Sequence, residues 1–504
     1  MKHLGSASVL ALCAMAYPAL ADVTPEQVWD NLESYLTMSG YTVSGTETMS
    51  GDTLTVSDVT MSMEIPDAGG DVSVIMGALT LSDKGDGTVA VTWPSPMPVM
   101  VSVDVDGSPV EVTLDYVTNG LDMTASGSPE ELTYDFKADS LGLTLSKLIV
   151  EGNEITRDMA TVEMMMNGLS GKSTLAMLDG MRMVTQTMSA SGLSLTGMAA
   201  EPGTDNGGHF SLKLAGMDSS SESMLPMEVD YSDMPAMLAA GFAVAGQLTH
   251  SGADIAFDFN DRGQKTEGTM TTSSGNLTVA MSEDAMTYKV GNTDMVVALM
   301  GAEIPLPING KMAETSFNVT VPLQASQEPQ DAAIGITLAG FETSDMIWGM
   351  IDPGAVLPRD PATVSADLTA KITPFISLLD EESMAKVEDG MMPGELNALT
   401  LNNLTVEAAG GKITGTGDFT FDNTDMASFD GIPRPEGKID LSVSGANGLI
   451  DKIIQMGLMS EEDAMGARMM LSMFTVPGSE PDTATSSIVF NEQGQVLANG
   501  QRIK

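Results

Sequence analysis

Cysteine, histidine, aromatic and basic residues are all scarce in this chain of 504 residues. The one cysteine, Cys13, falls in an apolar run near the N-terminus. If that run is removed, no disulfide and no thiol chemistry remain. Two histidines then persist, His209 and His250, in different segments. Each is expected as a solvent-exposed residue at a strand end, and without cysteine they cannot build the usual structural zinc site. Lysine and arginine number 22 against 69 acidic residues, a formal charge of −47. Such a chain repels a phosphate backbone, which excludes nucleic acid, and it disfavours anionic lipid headgroups. No run of about 18 apolar residues follows the N-terminus, so no second membrane span is expected. Gly-x-Ser-x-Gly elbows, Walker loops and Gly-x-Gly-x-x-Gly fingerprints are also absent.

The N-terminus reads as a secretory signal over residues 1–21. Lys2 precedes the apolar run Val9–Ala16, and Ala19-Leu20-Ala21 is a small-x-small cleavage site. Leu12 before Cys13 disfavours lipidation, so the expectation is a soluble periplasmic protein starting at Asp22. The acid excess suits solubility in a salty medium, with divalent-cation buffering as the alternative.

The remainder is rich in Thr, Ser, Val, Gly and Met, with 42 methionines. Met adapts to irregular apolar surfaces in cores and in binding grooves. The densest groups, Met164-Met165-Met166 and Met469-Met470 with Met473, have no histidine nearby, which favours packing over copper binding. Thr24-Pro25-Glu26-Gln27 opens a helix with a capping box, and Val28, Trp29, Leu32, Tyr35 and Leu36 form its apolar face up to Gly40. From Tyr41 to about Thr343, short alternating runs separated by turn residues predict an antiparallel sheet that winds on by hairpins. The segment 155–183 is ambiguous between strand and helix. Ser219–Glu228 reads as a loop, Met234–Ala245 as a short helix, and Glu201–Gly208 as a linker.

Ser344–Val364 gathers Trp348, Asp352-Pro353 and Leu357-Pro358-Arg359-Asp360-Pro361. It reads as a helical plug, with Met346, Ile347, Met350 and Ile351 on one face, followed by a rigid turn. Strands resume at Val364, with a short helix at Pro374–Leu379. Asn447–Met456 and Glu461–Phe474 are amphipathic helices before a closing hairpin. The organisation expected is 22–204, an N-terminal helix with a β-rich region; 205–343, a β-meander; and 344–504, a C-terminal β region with the plug and helix pair.

Chemical motifs are weak. Ser383-Met384-Ala385-Lys386 lacks its companion Lys-Thr-Gly. Asp104-Val105-Asp106-Gly107 lacks the other ligands of a calcium loop and reads as a hairpin turn. Paired carboxylates for hydrolysis cannot be picked out from so many acids. A membrane barrel would show aromatic girdles, which are missing here. No catalytic, cofactor-binding or metal residue is therefore assigned, and no enzyme activity is expected.

The Trp348 segment, Gly431-Ile432-Pro433-Arg434-Pro435-Glu436-Gly437, the helix pair and the closing Gly494 with Asn499-Gly500 together resemble DUF2125, a bacterial family of unknown function. The resemblance implies an exported, mostly β protein of the cell envelope and brings no catalytic residue. The texture is also similar to AsmA-type envelope proteins, whose long curved sheets hold lipid along an apolar trough. The expected fold is thus mainly β with minor α: a large twisted or curved antiparallel sheet, an open trough or half-barrel, with a few packed helices. The expected partner is a lipid or another apolar ligand in a Met-rich groove, or a segment of an envelope protein. The alternative is a structural or assembly protein of the envelope.

Overall fold

The computed structural model describes residues 22–504 except 39, 66–69, 106–107, 228, 230–232, 305, 381–382, 384, 386 and 388–390. The signal segment and Cys13 lie outside these residues, as do Asp106, Gly107 and Lys386 of the two weak motifs.

Among the described residues twenty-eight strands join in one sheet, and every pairing is antiparallel. Each strand or broken strand pairs with the next along the chain, so the topology is one long meander. The ladder runs unbroken across 204/205 and across 343/344, through Met181–Ala200 with Gly207–Pro226 and Gln330–Thr343 with Ala362–Pro374. Roughly twenty ladder steps at strand spacing give a sheet roughly 90 Å long in the hydrogen-bonding direction. Among the described residues no pairing joins Thr42–Ser50 to Thr483–Phe490, so the sheet is open.

The two faces differ in chemistry. One rung runs Leu248, Leu277, Val290, Phe317, Ile336, Ala366, Leu404, Gly415 and Leu441, each directly opposite the next. The adjacent rung runs Gln247, Thr278, Lys289, Asn318, Gly335, Asp367 and Asn403. Opposed residues share a face and neighbours along a strand do not, so one face is apolar and the other polar.

The long strands carry a second feature. Met166 and Leu169 belong to the same buried cluster although they are three residues apart on Ala160–Leu178. Phe136, Ala138 and Leu141 repeat this on Glu131–Val150, and Leu214 with Met217 on Gly207–Pro226. Strict alternation would put residues three apart on opposite faces. A change of phase at mid-strand keeps both halves of each strand apolar on the same side. Gly168 (φ 58°), Gly216 (φ 48°), Asp294 (φ 50°) and Gly340 (φ 66°) mark the change with left-handed backbone. A Cβ on Gly168 would sit 2.7 Å from Ser191 Oγ, and one on Gly216 2.5 Å from Ser251 Oγ. Those hydroxyls donate to Asn167 O (2.9 Å) and Ala215 O (3.0 Å), the carbonyls just before the glycines.

The seam bends the sheet toward its apolar face. Ala138, Leu169, Ala190 and Met217 are all buried, yet the cluster they form contains no helical residue. A flat sheet would leave such side chains in water, so the two halves of the strands shelter them from either side. The result is a crease with the apolar face inside. Aromatic rings fit the crease by lying over glycines on the opposing strand: a Cβ on Gly171 would come 2.5 Å from Phe136, and one on Gly268 2.5 Å from Phe257.

Helix α1 (Pro25–Met38) closes one end of the crease. Its capping box is present, with Thr24 N donating to Gln27 Oε1 (3.0 Å) and Gln27 N to Thr24 Oγ1 (3.4 Å). Val28 and Trp29 are buried against Leu54, Val56, Leu79, Leu81, Val89 and Leu132. Tyr134 Oη donates to Asn31 Oδ1 (3.2 Å) and Arg182 Nη2 to Ser34 Oγ (3.0 Å). Burial pushes the Tyr134 phenol up. The helix also lies against Thr42–Ser50. From that strand to Met181–Ala200 is about seven ladder steps, about 33 Å on a flat sheet, whereas the helix is about 21 Å long. The sheet therefore wraps around α1.

Other helices among the described residues include α2 (Met234–Ala239), α3 (Asp345–Ile351), α4 (Ala446–Gln455) and α5 (Glu461–Phe474). α4 lies beside Gly411–Asp422, with Leu449 over Gly411. Several expectations change. Ser219–Glu228 is not a loop up to Pro226, because the strand Gly207–Pro226 runs on through its serines on the edge of the crease. Residues 160–178 are strand, and the ambiguity came from the phase change at Gly168. Pro374–Leu379 forms bends and turns, held by Ser377 Oγ donating to Leu323 O (3.2 Å). α3 is no buried plug: Met346, Met350 and Ile351 are exposed.

Gly216→Ala is expected to destabilise the protein by about 1–2 kcal/mol, the cost of left-handed backbone for an L-residue. Gly197, with ordinary φ and only an ordinary van der Waals contact for a Cβ (3.8 Å from Thr161 O), serves as control. Gly197→Ala is expected to change stability by less than about 0.5 kcal/mol in the same urea titration.

Candidate functional site

Beyond α1 the crease is uncovered. Val279, Met286, Tyr288, Phe317, Ile334, Ile336, Leu338, Val364, Val406 and Ile413 all point to the apolar face and are all exposed. They occupy seven consecutive strands from Ser274–Met281 to Gly411–Asp422. An apolar surface of this extent is more than a soluble monomer usually leaves in water, and such surfaces mark binding sites. Two ends are treated differently: α1 fills one, while α4 and α5 flank the other. At the lower rim Ile155, Met159, Ala199 and Phe259 line an apolar recess of about 430 Å³.

The polar face has its own concavity, about 730 Å³, lined by Thr196, His209, Ser211, Asp258, Glu267 and Asn309 among others. His209 Nδ1 lies 3.3 Å from Asp258 Oδ1. Both side chains are about two-thirds exposed, at 67% and 64%. Among the described residues no hydroxyl bonds to the other imidazole nitrogen. An exposed pair of this kind is a surface contact worth little, and it builds no nucleophile.

His209 therefore sits at a strand's outer surface, as its sequence position suggests. His250 does not. It ends the strand Ala243–His250, but its side chain faces the crease, opposite Met217 on one side and Gly275 on the other. It is half-buried, and the two histidines are on opposite faces of the sheet. Of the methionine groups, Met164 and Met166 point into the crease, whereas Met469, Met470 and Met473 are exposed on α5. Among the described residues no group of three or more His, Cys, Asp or Glu could hold a metal ion, and no helix is long and apolar enough to cross a membrane.

The proline-rich segments are fasteners. Arg359 pairs with Asp345 and lies 6.0 Å over the Trp348 ring. Asp352 Oδ2 accepts from Leu357 N (2.7 Å), and that bond holds its carboxyl below the usual range. Arg434, mostly buried, bridges Asp422 (2.8 Å) and Asp425 (3.2 Å). The hydroxyl of Thr424, then Arg434, lowers Asp422 to about 2.

No family model, curated protein or solved structure matches the chain.

A carboxylate whose pKa is depressed on folding contributes stability that is whole above its unfolded value, near 4, and is lost as pH falls toward about 2. Asp422→Asn is expected to flatten the acid side of the stability curve between about pH 4 and 2. Urea midpoints measured across that window check it; an unchanged slope would remove the ion pair from the acid response.

Proposed function

We propose that this is an exported, non-enzymatic protein of the bacterial envelope, a relative of the DUF2125 proteins, that holds the hydrocarbon part of a lipid in its apolar crease. The observation that supports this reading most is the uncovered apolar face on seven consecutive strands. A protein with only a structural task gains by burying such a face, as α1 does at the other end. The crease is open along its length and lined by Val, Ile, Leu, Met and aromatic side chains, which suits a flexible chain better than a rigid ring. The acidic surface and the Thr- and Ser-rich outer face keep the loaded protein dispersed in water.

A structural or assembly role in the envelope is the second reading. The dry core around Val28, Trp29 and Tyr134 favours it for the part of the sheet that wraps α1, where side chains fill the interior.

Purification from a membrane-containing host followed by native mass spectrometry is expected to show bound lipid. Ile336 and Thr337 are neighbours on opposite faces. Ile336→Asp is expected to lower lipid occupancy about tenfold or more, from the loss of one buried aliphatic contact and the insertion of a charge. Thr337→Asp is expected to leave it unchanged. Protein that carries no lipid, or equal losses in both variants, would favour the structural reading.

A further inference from the structure

The crease is apolar along most of its floor, but a rung beside the seam carries an imidazole and an amide. Directly opposed across three strands stand His250, Gly275 and Asn292. The rung beside it is Leu248, Leu277 and Val290, wholly aliphatic. A Cβ built on Gly275 would lie 2.2 Å from His250 Nε2 and 2.7 Å from Asn292 Oδ1. The imidazole and the amide thus lean from either side over the same bare glycine. Gly275 has ordinary backbone, so space and not conformation demands the glycine there.

Neither side chain is satisfied. His250 Nε2 is the ring nitrogen beside the notch and makes no hydrogen bond among the described residues, while the other ring nitrogen, Nδ1, is buried and also without a partner. The Asn292 amide, on a half-buried side chain, makes no hydrogen bond among the described residues, although it faces the imidazole. Thr272, which lies on the seam and is more than nine-tenths buried, also has an unpartnered Oγ. Polar groups set in an apolar wall are costly to cover unless the covering molecule supplies their partner. The backbone of this segment offers them nothing, since it is engaged in the ladders on both sides.

From this we infer that His250 and Asn292 form a hydroxyl-recognition site in the floor of the crease. This rests on the reading of the crease as a lipid site. An imidazole N–H donates to the ligand oxygen, and the amide oxygen accepts the ligand's proton; the opposite tautomer and amide orientation complete the same pair. A hydroxyl serves both roles. A hydrocarbon serves neither, and an ester carbonyl or a carboxylate can only accept. No charged side chain shares the rung, so the group read is neutral. Aliphatic side chains lie on both sides of the notch, Leu277 above and Ile255 with Met270 below the seam. The site therefore takes a hydroxyl carried along a hydrocarbon chain, as in a hydroxyacyl lipid, in preference to one at a chain's end.

Displacement of N-phenylnaphthylamine from the full-length protein gives the affinities of three uncharged probes: methyl stearate, methyl 12-hydroxystearate and monostearoylglycerol. The wild-type protein is expected to bind the mid-chain hydroxyl roughly three- to tenfold more tightly than methyl stearate. Asn292→Leu removes the acceptor, and Gly275→Ala keeps both polar side chains but fills the notch and pushes them apart. Both are expected to bring that ratio to about one while leaving methyl stearate binding intact, which also shows that the variants are folded. A ratio near one in the wild-type protein, or a preference that survives both variants, would overturn the site. A preference for monostearoylglycerol alone would overturn the assignment to a mid-chain hydroxyl. Failure of all three probes, methyl stearate included, would instead reject the lipid reading on which the site rests.

Discussion

The change of phase at the middle of each long strand governs this fold. A β-strand alternates faces with a period of two, so a straight strand of 20 residues such as Met181–Ala200 can keep only one unbroken apolar row. Slipping the phase once, through Gly168, Gly216, Asp294 or Gly340, brings the two half-rows onto the same side and bends the strand between them. Because the slips align from strand to strand, the bends add up to one crease. Hydroxyls from the facing strands, Ser191 and Ser251, bond the carbonyls beside the glycines, so few backbone groups are left without partners at the bend.

From that crease follow the other features. Its inner wall is where apolar side chains meet, and its two ends must be closed or left open. At the N-terminal end the strands wrap a helix, and the interior there is as dry as an ordinary core. Along the middle no helix crosses the apolar face among the described residues, and Ile334, Ile336 and Val364 remain exposed. The same sheet thus combines a closed domain-like end with a bare trough, and burial alone separates the part that holds the fold from the part available to a ligand. Met is suited to both, as Met76 and Met97 in the core and Met286 in the open stretch illustrate.

Much of this is legible in the sequence. Alternation of Val, Leu and Met with Thr and Ser announces a half-buried antiparallel sheet, and the capping box at Thr24 and the helix 461–474 are where their residues put them. The uninterrupted ladder was hidden because local signals weaken at the seam. Around Asn167-Gly168 the apolar positions jump from even to odd, which mimics helical spacing, and the serines 219, 221 and 223 look like a loop although they are strand. The informative sign was an interior glycine coinciding with a jump in apolar phase, repeated from strand to strand. His250 departs from expectation for a related reason: being last in its strand suggests solvent, but the strand ends at the seam, in the middle of the sheet. Which face is concave, and where a helix covers it, depends on contacts between residues more than a hundred positions apart, such as Asn31 with Tyr134 and Ser34 with Arg182.

With Cys13 as the only cysteine to replace, single cysteines can be placed along one strand across its phase change. A polarity-sensitive fluorophore attached in turn at positions 334 to 341 reads the face of each residue. Apolar, blue-shifted signals are expected at 334, 336 and 338 and then at 341, with aqueous signals at 335, 337 and 339, so that the alternation breaks at Gly340. Alternation that continues through Gly340 on even numbers, or no alternation at all, would mean that there is no crease.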